Sequence, residues 1–312
     1  MKVVVTGGAG FIGANLCRRL VQQPEIDEVL VLDDLSSGRV ENLAGCEVTF
    51  VEGSILDDAA LDAAMIDAAA VVHLAARPSV PRSLADPVAS HTVNATGTLQ
   101  VLEAARRAGG PQVVVASSSS VYGANPTLPK HEALVAQPMS PYAASKLATE
   151  SYTLAWQHSY GLPAMAYRFF NVFGPLQLPG HAYAAVVPAF VSAALEGRPL
   201  PIHGTGQQTR DFTYVGTVAE VLTRTVVGRI TSPDPVNLAF GSRVDLLALA
   251  ALLEAELGRT LPVEHFPARV GDVPDSQADS SRLRALFPEL EPTSLSVGLR
   301  ATIEWMATTL DR

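Results

Sequence analysis

The sequence predicts an α/β protein built on a doubly wound parallel sheet, and three observations predict it. Short, near-continuous apolar runs recur along the first half of the chain, as strands buried on both faces require. Amphipathic stretches separate them, and regular alternation of strands and helices produces a parallel sheet with crossover helices. The first strand then runs directly into Gly7-Gly-Ala-Gly10-Phe-Ile-Gly13, which opens a helix.

Residues 2–6 read as a buried strand and 11–22 as the helix that follows. Strands are expected at 28–32, 47–51, 70–74, 112–116 and 163–169, with helices at 61–65, 94–108 and 142–158. Leu99, Val101, Leu102 and Ala105 fall at helical spacing in 94–108, and Leu147, Tyr152 and Leu154 anchor 142–158. After Phe170 the pattern changes. Residues 171–214 are rich in Gly and Pro, with one helical stretch at 184–196. A helix at 217–227 returns to the main sheet, and amphipathic helices are expected at 245–257 and 294–310.

The chain has 312 residues, 48% hydrophobic and 17% charged, which suits an ordinary globular protein with ample core. Its formal net charge of -9 argues against nucleic acid or an anionic membrane as the main partner. No apolar run approaches the ~20 residues that span a bilayer, and Met1 leads at once into a strand rather than a signal peptide. Cys17 and Cys46 lack metal-type spacing, and Cys17 lies on the apolar face of its helix. A cytoplasmic, reduced protein is expected, with no membrane and no metal.

The glycine run has a mechanism in this context. Gly7 permits a tight turn, Gly10 lets backbone approach a pyrophosphate, and Gly13 allows close packing of helix on strand. The helix N-terminus supplies N–H groups and partial positive charge. Asp33 ends the second strand about twenty residues beyond Gly13, where a carboxylate accepts ribose hydroxyls and repels a 2′-phosphate. NAD is therefore expected over NADP, on a Rossmann-type sheet. Tyr142 and Lys146, four residues apart, share one helix face. An ammonium there is expected to lower the phenol pKa and fit Tyr142 to take a proton from an alcohol. The fifth strand runs into Ser117-Ser-Ser-Ser-Val-Tyr-Gly123, placing hydroxyls at its carboxyl end.

With these motifs stand His73-Leu-Ala-Ala76, Asn94-x-x-Gly-Thr98, Arg168-Phe-Phe-Asn171, Gly174-Pro175, Gly204-x-Gly206, Arg210-Asp211, Arg269-x-Gly-Asp272 and Ala278-Asp279. Over essentially its full length the sequence resembles the extended short-chain dehydrogenases/reductases, and within them NAD-dependent nucleotide-sugar epimerases such as UDP-glucose 4-epimerase. The resemblance implies a Rossmann-type NAD domain over 1–170 plus roughly 211–240. It implies a smaller nucleotide-sugar-binding lobe over 171–210 and 241–312. Ser118, Tyr142 and Lys146 take the catalytic roles, with Ser118 on the sugar O4. Phe11, Ile12, Leu74, Ala75, Ala76 and Asn94 join Gly7, Gly10, Gly13 and Asp33 around NAD, with Tyr142 and with Lys146 on the nicotinamide ribose. Ser119, Ser120, Asn171, His203, Arg210, Arg269, Asp272 and Ser276 are expected to contact a UDP-sugar. His203 stands where relatives place an aromatic on the base, and Ser276 at a size gate that a small residue opens to an N-acetyl group. A homodimer through the 94–108 and 142–158 helices is also implied.

Dehydratases of this type carry Asp-Glu where Ser119 and Ser120 stand, so the simplest outcome is 4-epimerisation of a UDP-hexose. A UDP-glucuronate 4-epimerase is the first alternative; Leu178 occupies the place where an Arg for the sugar carboxylate is expected, although Arg168 or another Arg could take its part. A 4,6-dehydratase or net oxidoreductase is the second, and a non-catalytic NAD-binding protein the third.

Overall fold

The computed structural model describes residues 1–179, 185–268 and 275–310. The strands, in chain order, are β1 (Lys2–Thr6), β2 (Glu28–Asp33), β3 (Thr49–Glu52), β4 (Ala68–His73), β5 (Gln112–Ser118), β6 (Ala164–Phe169), β7 (Asn171–Phe173), β8 (Leu200–His203), β9 (Thr209–Arg210), β10 (Phe212–Tyr214), β11 (Val236–Leu238), β12 (Val244–Asp245) and β13 (Val263–Phe266). The helices are α1 (Phe11–Leu20), α2 (Asp58–Met65), α3 (Val80–Ala85), α4 (Pro87–His91), α5 (Gly97–Arg107), α6 (Pro141–Tyr160), α7 (Val186–Leu195), α8 (Val215–Val227), α9 (Leu246–Leu257), α10 (Ser281–Leu286) and α11 (Leu295–Leu310).

Seven strands form one sheet in the order β11-β6-β5-β4-β1-β2-β3, and every neighbouring pair is parallel. The order reverses between β1 and β4, the place where such sheets open a crevice beyond their carboxyl ends. One apolar core lies on each face. Val3, Val5, Leu16, Leu20, Val218 and Leu222 belong to one, and Val4, Leu61, Val71, Val101 and Leu102 to the other. A third core is separate. It gathers Phe173, Phe190, Leu200, Ile202, Leu249, Leu253, Leu299 and Met306 from β7, β8, α7, α9 and α11.

Every strand expected in the first half forms. The seventh, β11, was not anticipated: it is three residues long and follows the Pro-rich 232–235 segment. Leu283, Phe287 and Leu290 join the first core beside the sheet, although 241–312 as a block was expected to belong to the smaller lobe. The α10 segment packs beside β11, and its Leu283 joins the core on that face of the sheet.

The expected 94–108 helix starts irregularly. Residues Thr92–Thr96 form a π turn that leads into α5. Such turns release a backbone carbonyl from the helical ladder, and here the Asn94 carbonyl oxygen accepts the hydroxyls of Thr98 (2.6 Å) and Thr149 (3.0 Å). That ties α5 to α6. Helix α6 is well bounded: the Ser140 hydroxyl accepts from Ala143 N, Pro141 occupies its first turn, and Gly161 closes it at φ 68°.

Candidate active site

The glycine turn lies against the exit of β4. Gly7 has φ +74°, and a Cβ there would stand 2.6 Å from Ala75 N, so the turn and the Leu74–Ala76 segment are held together by contact that admits no side chain. A Cβ on Gly10 would meet only the Gly7 carbonyl oxygen, at 3.2 Å, which leaves its other side open. No side chain caps α1. The N–H groups of its first turn, among them those of Phe11, Ile12 and Gly13, are thus available to phosphate oxygens. Asp33 is buried at the end of β2 and accepts from Ala9 N and Leu35 N, both at 2.9 Å. Burial raises its pKa and these two backbone bonds oppose the rise. One oxygen faces each N–H, and the second lone pairs of a carboxylate remain for ribose hydroxyls. An open glycine cradle, an uncapped helix and an acceptor at the β2 terminus together fit a dinucleotide with an unmodified adenosine ribose.

Asn94 was expected among the cofactor contacts, and its amide is otherwise engaged. It accepts from Arg77 N (2.7 Å) and donates to Arg77 O (3.2 Å) and Ser145 Oγ (2.9 Å). It clamps the loop after β4 onto α6. A buried ladder runs alongside. His73 Nδ1 lies 2.7 Å from Thr6 Oγ1 and Nε2 lies 3.0 Å from Thr98 Oγ1. The Thr98 proton is committed to the Asn94 carbonyl. Nε2 therefore donates to Thr98, and Nδ1 accepts from Thr6. Burial, aided by the Lys146 charge, pushes the His73 pKa down to about 3, which keeps the ring neutral.

Tyr142 and Lys146 stand on α6 where it passes the carboxyl end of β5. Lys146 is 5% exposed and its Nζ donates to Ala116 O at 2.9 Å. Burial lowers its pKa to about 8. The pKa of Tyr142 departs from the sequence expectation. Burial holds the phenol above its ordinary value, and the opposing influence is a hydrogen bond with the Ser118 side chain rather than the Lys146 ammonium. The reason is geometric: the Lys146 hydrogen bond goes to the strand backbone.

Ser118 ends β5, and its Oγ accepts from Ser120 N (3.2 Å) and Ser120 Oγ (2.9 Å). Ser117, one residue earlier, points the other way, as the pleat demands. Its Oγ donates to Glu150 Oε2 at 3.0 Å. Glu150 in turn receives both Nε (2.8 Å) and Nη2 (2.6 Å) of Arg168. The two partners of this bidentate pair are each 5% exposed, and the guanidinium lies 4.7 Å from the centre of the Tyr122 ring. Sequence reading placed Arg168 in a motif and as a possible cation for a sugar carboxylate; eighteen residues separate it from Glu150, so nothing local signals the pairing.

A cleft of about 260 Å³ opens beyond β5 and β6, and Ser118, Ser119, Ser120, Asn171, Arg210 and Ser276 all line it. Six residues expected to meet substrate are thus brought together. Asp211 organises the far wall. Fully buried, it accepts from Gly241 N (3.0 Å), Ser242 Oγ (2.9 Å) and Ala278 N (2.9 Å), and burial raises its pKa to about 6. Ser276 N donates to Thr209 O at 3.1 Å, which sets that residue at the rim. Lys130, Met139 and Phe170 also line the cleft and were not anticipated. His203 lies outside this lining, on β8, with its ring 5.5 Å from that of Phe266 and Nδ1 donating to Pro267 O at 3.1 Å. Arg269 and Asp272 lie outside the described residues.

Fold and cleft together define an enzyme of the short-chain dehydrogenase/reductase type. The chain matches the NAD dependent epimerase/dehydratase family over residues 3–239. It is 38% identical to the UDP-glucose 4-epimerase of Mycolicibacterium smegmatis, over 98% of each chain. Among solved structures it superposes on the UDP-N-acetylglucosamine 4-epimerase of Methanobrevibacter ruminantium, solved with UDP-N-acetylmuramic acid, with a TM-score of 0.93 and 36% identity over 99% of this chain and 98% of that one. It superposes equally fully on the UDP-glucose 4-epimerase of Thermotoga maritima solved with UDP-glucose, with a TM-score of 0.91 and 34% identity, covering 99% and 100%. The protein belongs to the NAD-dependent epimerase/dehydratase family, and its cofactor is NAD.

Proposed function

We propose that this protein is a 4-epimerase of UDP-hexoses that interconverts UDP-glucose and UDP-galactose and also accepts the 2-acetamido pair UDP-GlcNAc and UDP-GalNAc. The observation that carries this reading is the make-up of the cleft at the end of β5. Ser118 lines it and is the hydrogen-bond partner of the Tyr142 phenol, and serines rather than acids stand at positions 119 and 120. Tyr142 takes the O4 proton of the sugar, directly or through the Ser118 hydroxyl, and later returns it; burial raises its pKa, and the positive charge of bound NAD would favour the phenolate needed for that step. NAD, when bound, supplies the hydride acceptor and donor for C4. Lys146 holds the end of β5 through Ala116 O and brings positive charge to the nicotinamide side. Arg210 and Asn171 hold the diphosphate, since a guanidinium suits its oxygens. With serines rather than acids at 119 and 120, the ketone made at C4 is reduced again, and reduction on the opposite face inverts the centre. Ser276 leaves room for an acyl group at C2. The names of the relatives from M. smegmatis, M. ruminantium and T. maritima support both substrate pairs.

The glucuronate alternative needs a cation for the sugar carboxylate. Arg168 does not supply it, because Glu150 holds it in a buried bidentate pair. We further propose that the third core, with residues 171–210 and most of 241–312, forms the nucleotide-sugar lobe, and that α5 and α6 form a homodimer contact. Trp156 sits edge-on between Tyr152 and Tyr160, at 5.9 and 5.2 Å, on an aromatic strip of α6 whose two tyrosines are exposed. A monomer in sedimentation at micromolar concentration would remove that contact.

The test is to incubate the protein separately with UDP-glucose, UDP-GlcNAc and UDP-glucuronate and follow the anomeric protons by NMR. Galacto-configured signals from the first two without net NADH support the reading. Conversion of UDP-glucuronate alone overturns the substrate assignment, and a 4-keto-6-deoxy product overturns the reaction.

A further inference from the structure

Lys130 has no role in the chemistry above, yet it lines the cleft while only 7% exposed. Its backbone is fixed on both sides. Lys130 N donates to Gln277 O at 2.7 Å, and its carbonyl accepts from Asp279 N (2.9 Å) and from the Asn237 amide (2.8 Å). It forms a bridge with Ala278, so it sits against the segment that carries Ser276. Among the described residues, its ammonium makes one hydrogen bond, to the Asn125 carbonyl oxygen, and no ion pair. The carboxylates of the adjoining segments are engaged elsewhere. Glu132 accepts from Asn237 N and faces Arg282. Asp275 accepts from Thr209 Oγ1 and faces Arg243. Asp279 accepts from Ser281 N. Burial accordingly lowers the Lys130 pKa.

A buried cation without a counter-charge is costly. Arg168, the neighbouring buried cation, is fully compensated by Glu150. Lys130 has two further N–H donors and a cleft in front of it. We propose that Lys130 is a specificity-determining residue that donates to the acyl oxygen of a 2-acylamino sugar and thereby favours such sugars over the unsubstituted hexose. The assignment rests on the reading of Ser276 as the C2 wall, since Lys130 and Ser276 belong to the same stitched edge of the cleft. In the plainer reading Lys130 only pins the 124–130 loop through Asn125, and its loss would then weaken every sugar alike.

The experiment compares calorimetric affinities of the NAD-loaded protein and its Lys130→Met and Lys130→Arg variants for UDP-GlcNAc, UDP-glucose and UDP-glucuronate. Lys130→Met is expected to weaken UDP-GlcNAc about tenfold or more relative to UDP-glucose, the scale of a hydrogen bond to a charged group. Lys130→Arg restores most of the preference. Equal weakening of UDP-GlcNAc and UDP-glucose overturns the proposal, and so does a selective loss of UDP-glucuronate. If Lys130→Met does not fold, the wild type decides with UDP-glucosamine at low pH, where its amine is protonated. That C2 ammonium should bind more weakly than the plain hydroxyl of UDP-glucose, and binding as tight as that of UDP-GlcNAc overturns the proposal. Absence of turnover for all sugars in the NMR assay would sink the epimerase reading while leaving these affinities to judge Lys130.

Discussion

The two sides of the crevice are built differently. On the dinucleotide side the polar side chains satisfy one another: Thr6, His73, Thr98, Thr149 and Asn94 form a buried ladder between β1, β4, α5 and α6. On the sugar side the polar groups line a cleft. Ser119, Ser120, Asn171, Arg210 and Lys130 reach it from segments at strand ends and in loops. The first side is a framework whose geometry exists before any ligand arrives. The second is a set of polar groups gathered on an open cleft. Substitutions on the framework should therefore change stability, and substitutions on the cleft groups should change rate and selectivity.

The largest effect expected is on rate. Tyr142→Phe should lower kcat by about 10²–10⁴-fold, the usual share of a positioned proton acceptor, with the melting temperature unchanged and NAD still bound. Wild-type kcat in that variant would remove Tyr142 from the chemistry.

Arg168→Met removes a buried cation on β6 and should do the reverse. It leaves Glu150 buried without its partner, a loss of about 3–5 kcal/mol in denaturant unfolding. A variant as stable as the wild type would show that the pair is not part of the framework.

The histidine ladder can be probed by pH. The folded-state pKa of His73 is about 3, against an ordinary value of 6.5. The unfolded chain therefore binds the proton first as pH falls. The His73 contribution to stability is complete above pH 6.5 and is lost progressively from there toward pH 3, by roughly 2–3 kcal/mol at pH 4.5. The stability of His73→Gln should lack that component of the slope. Identical slopes in the two proteins would mean that the ring is not held neutral.

The smallest effect sharpens the sugar side. Ser276→Tyr should lower kcat/KM for UDP-GlcNAc relative to UDP-glucose by about 10–100-fold, equivalent to 1–3 kcal/mol of overpacking. An unchanged ratio would place the C2 group elsewhere.

Legibility in the sequence follows the same division. The strands β1 to β6 announce themselves because parallel strands are apolar on both faces, and the Gly7–Gly13 turn because each glycine answers a local steric demand. The cleft serines, Asn171, Arg210 and Ser276 were legible through motifs. What was not legible depends on contacts between distant segments. β11 carries a buried Asn237 whose side chain accepts from Tyr122 and donates to Lys130 O, and three residues give no period to read. The π turn at Thr92–Thr96 has no local sequence signal, and it changes what Asn94 does. Lys146 was expected to lower the Tyr142 pKa, but a four-residue spacing does not say where the ammonium points, and its Nζ donates to Ala116 O.

Four consecutive serines run from the end of β5, and the chain gives them two placements with no difference in side chain. Ser117 turns inward to Glu150 and is 2% exposed; Ser118, Ser119 and Ser120 turn to the cleft. The fold's share of the run is thus carried by one position, and the next three face the cleft. Such an arrangement is open to drift. An acid or an amide can enter at 119 or 120 without the core registering the change, so a descendant of this chain could acquire a different fate for the same ketone while inheriting its scaffold intact.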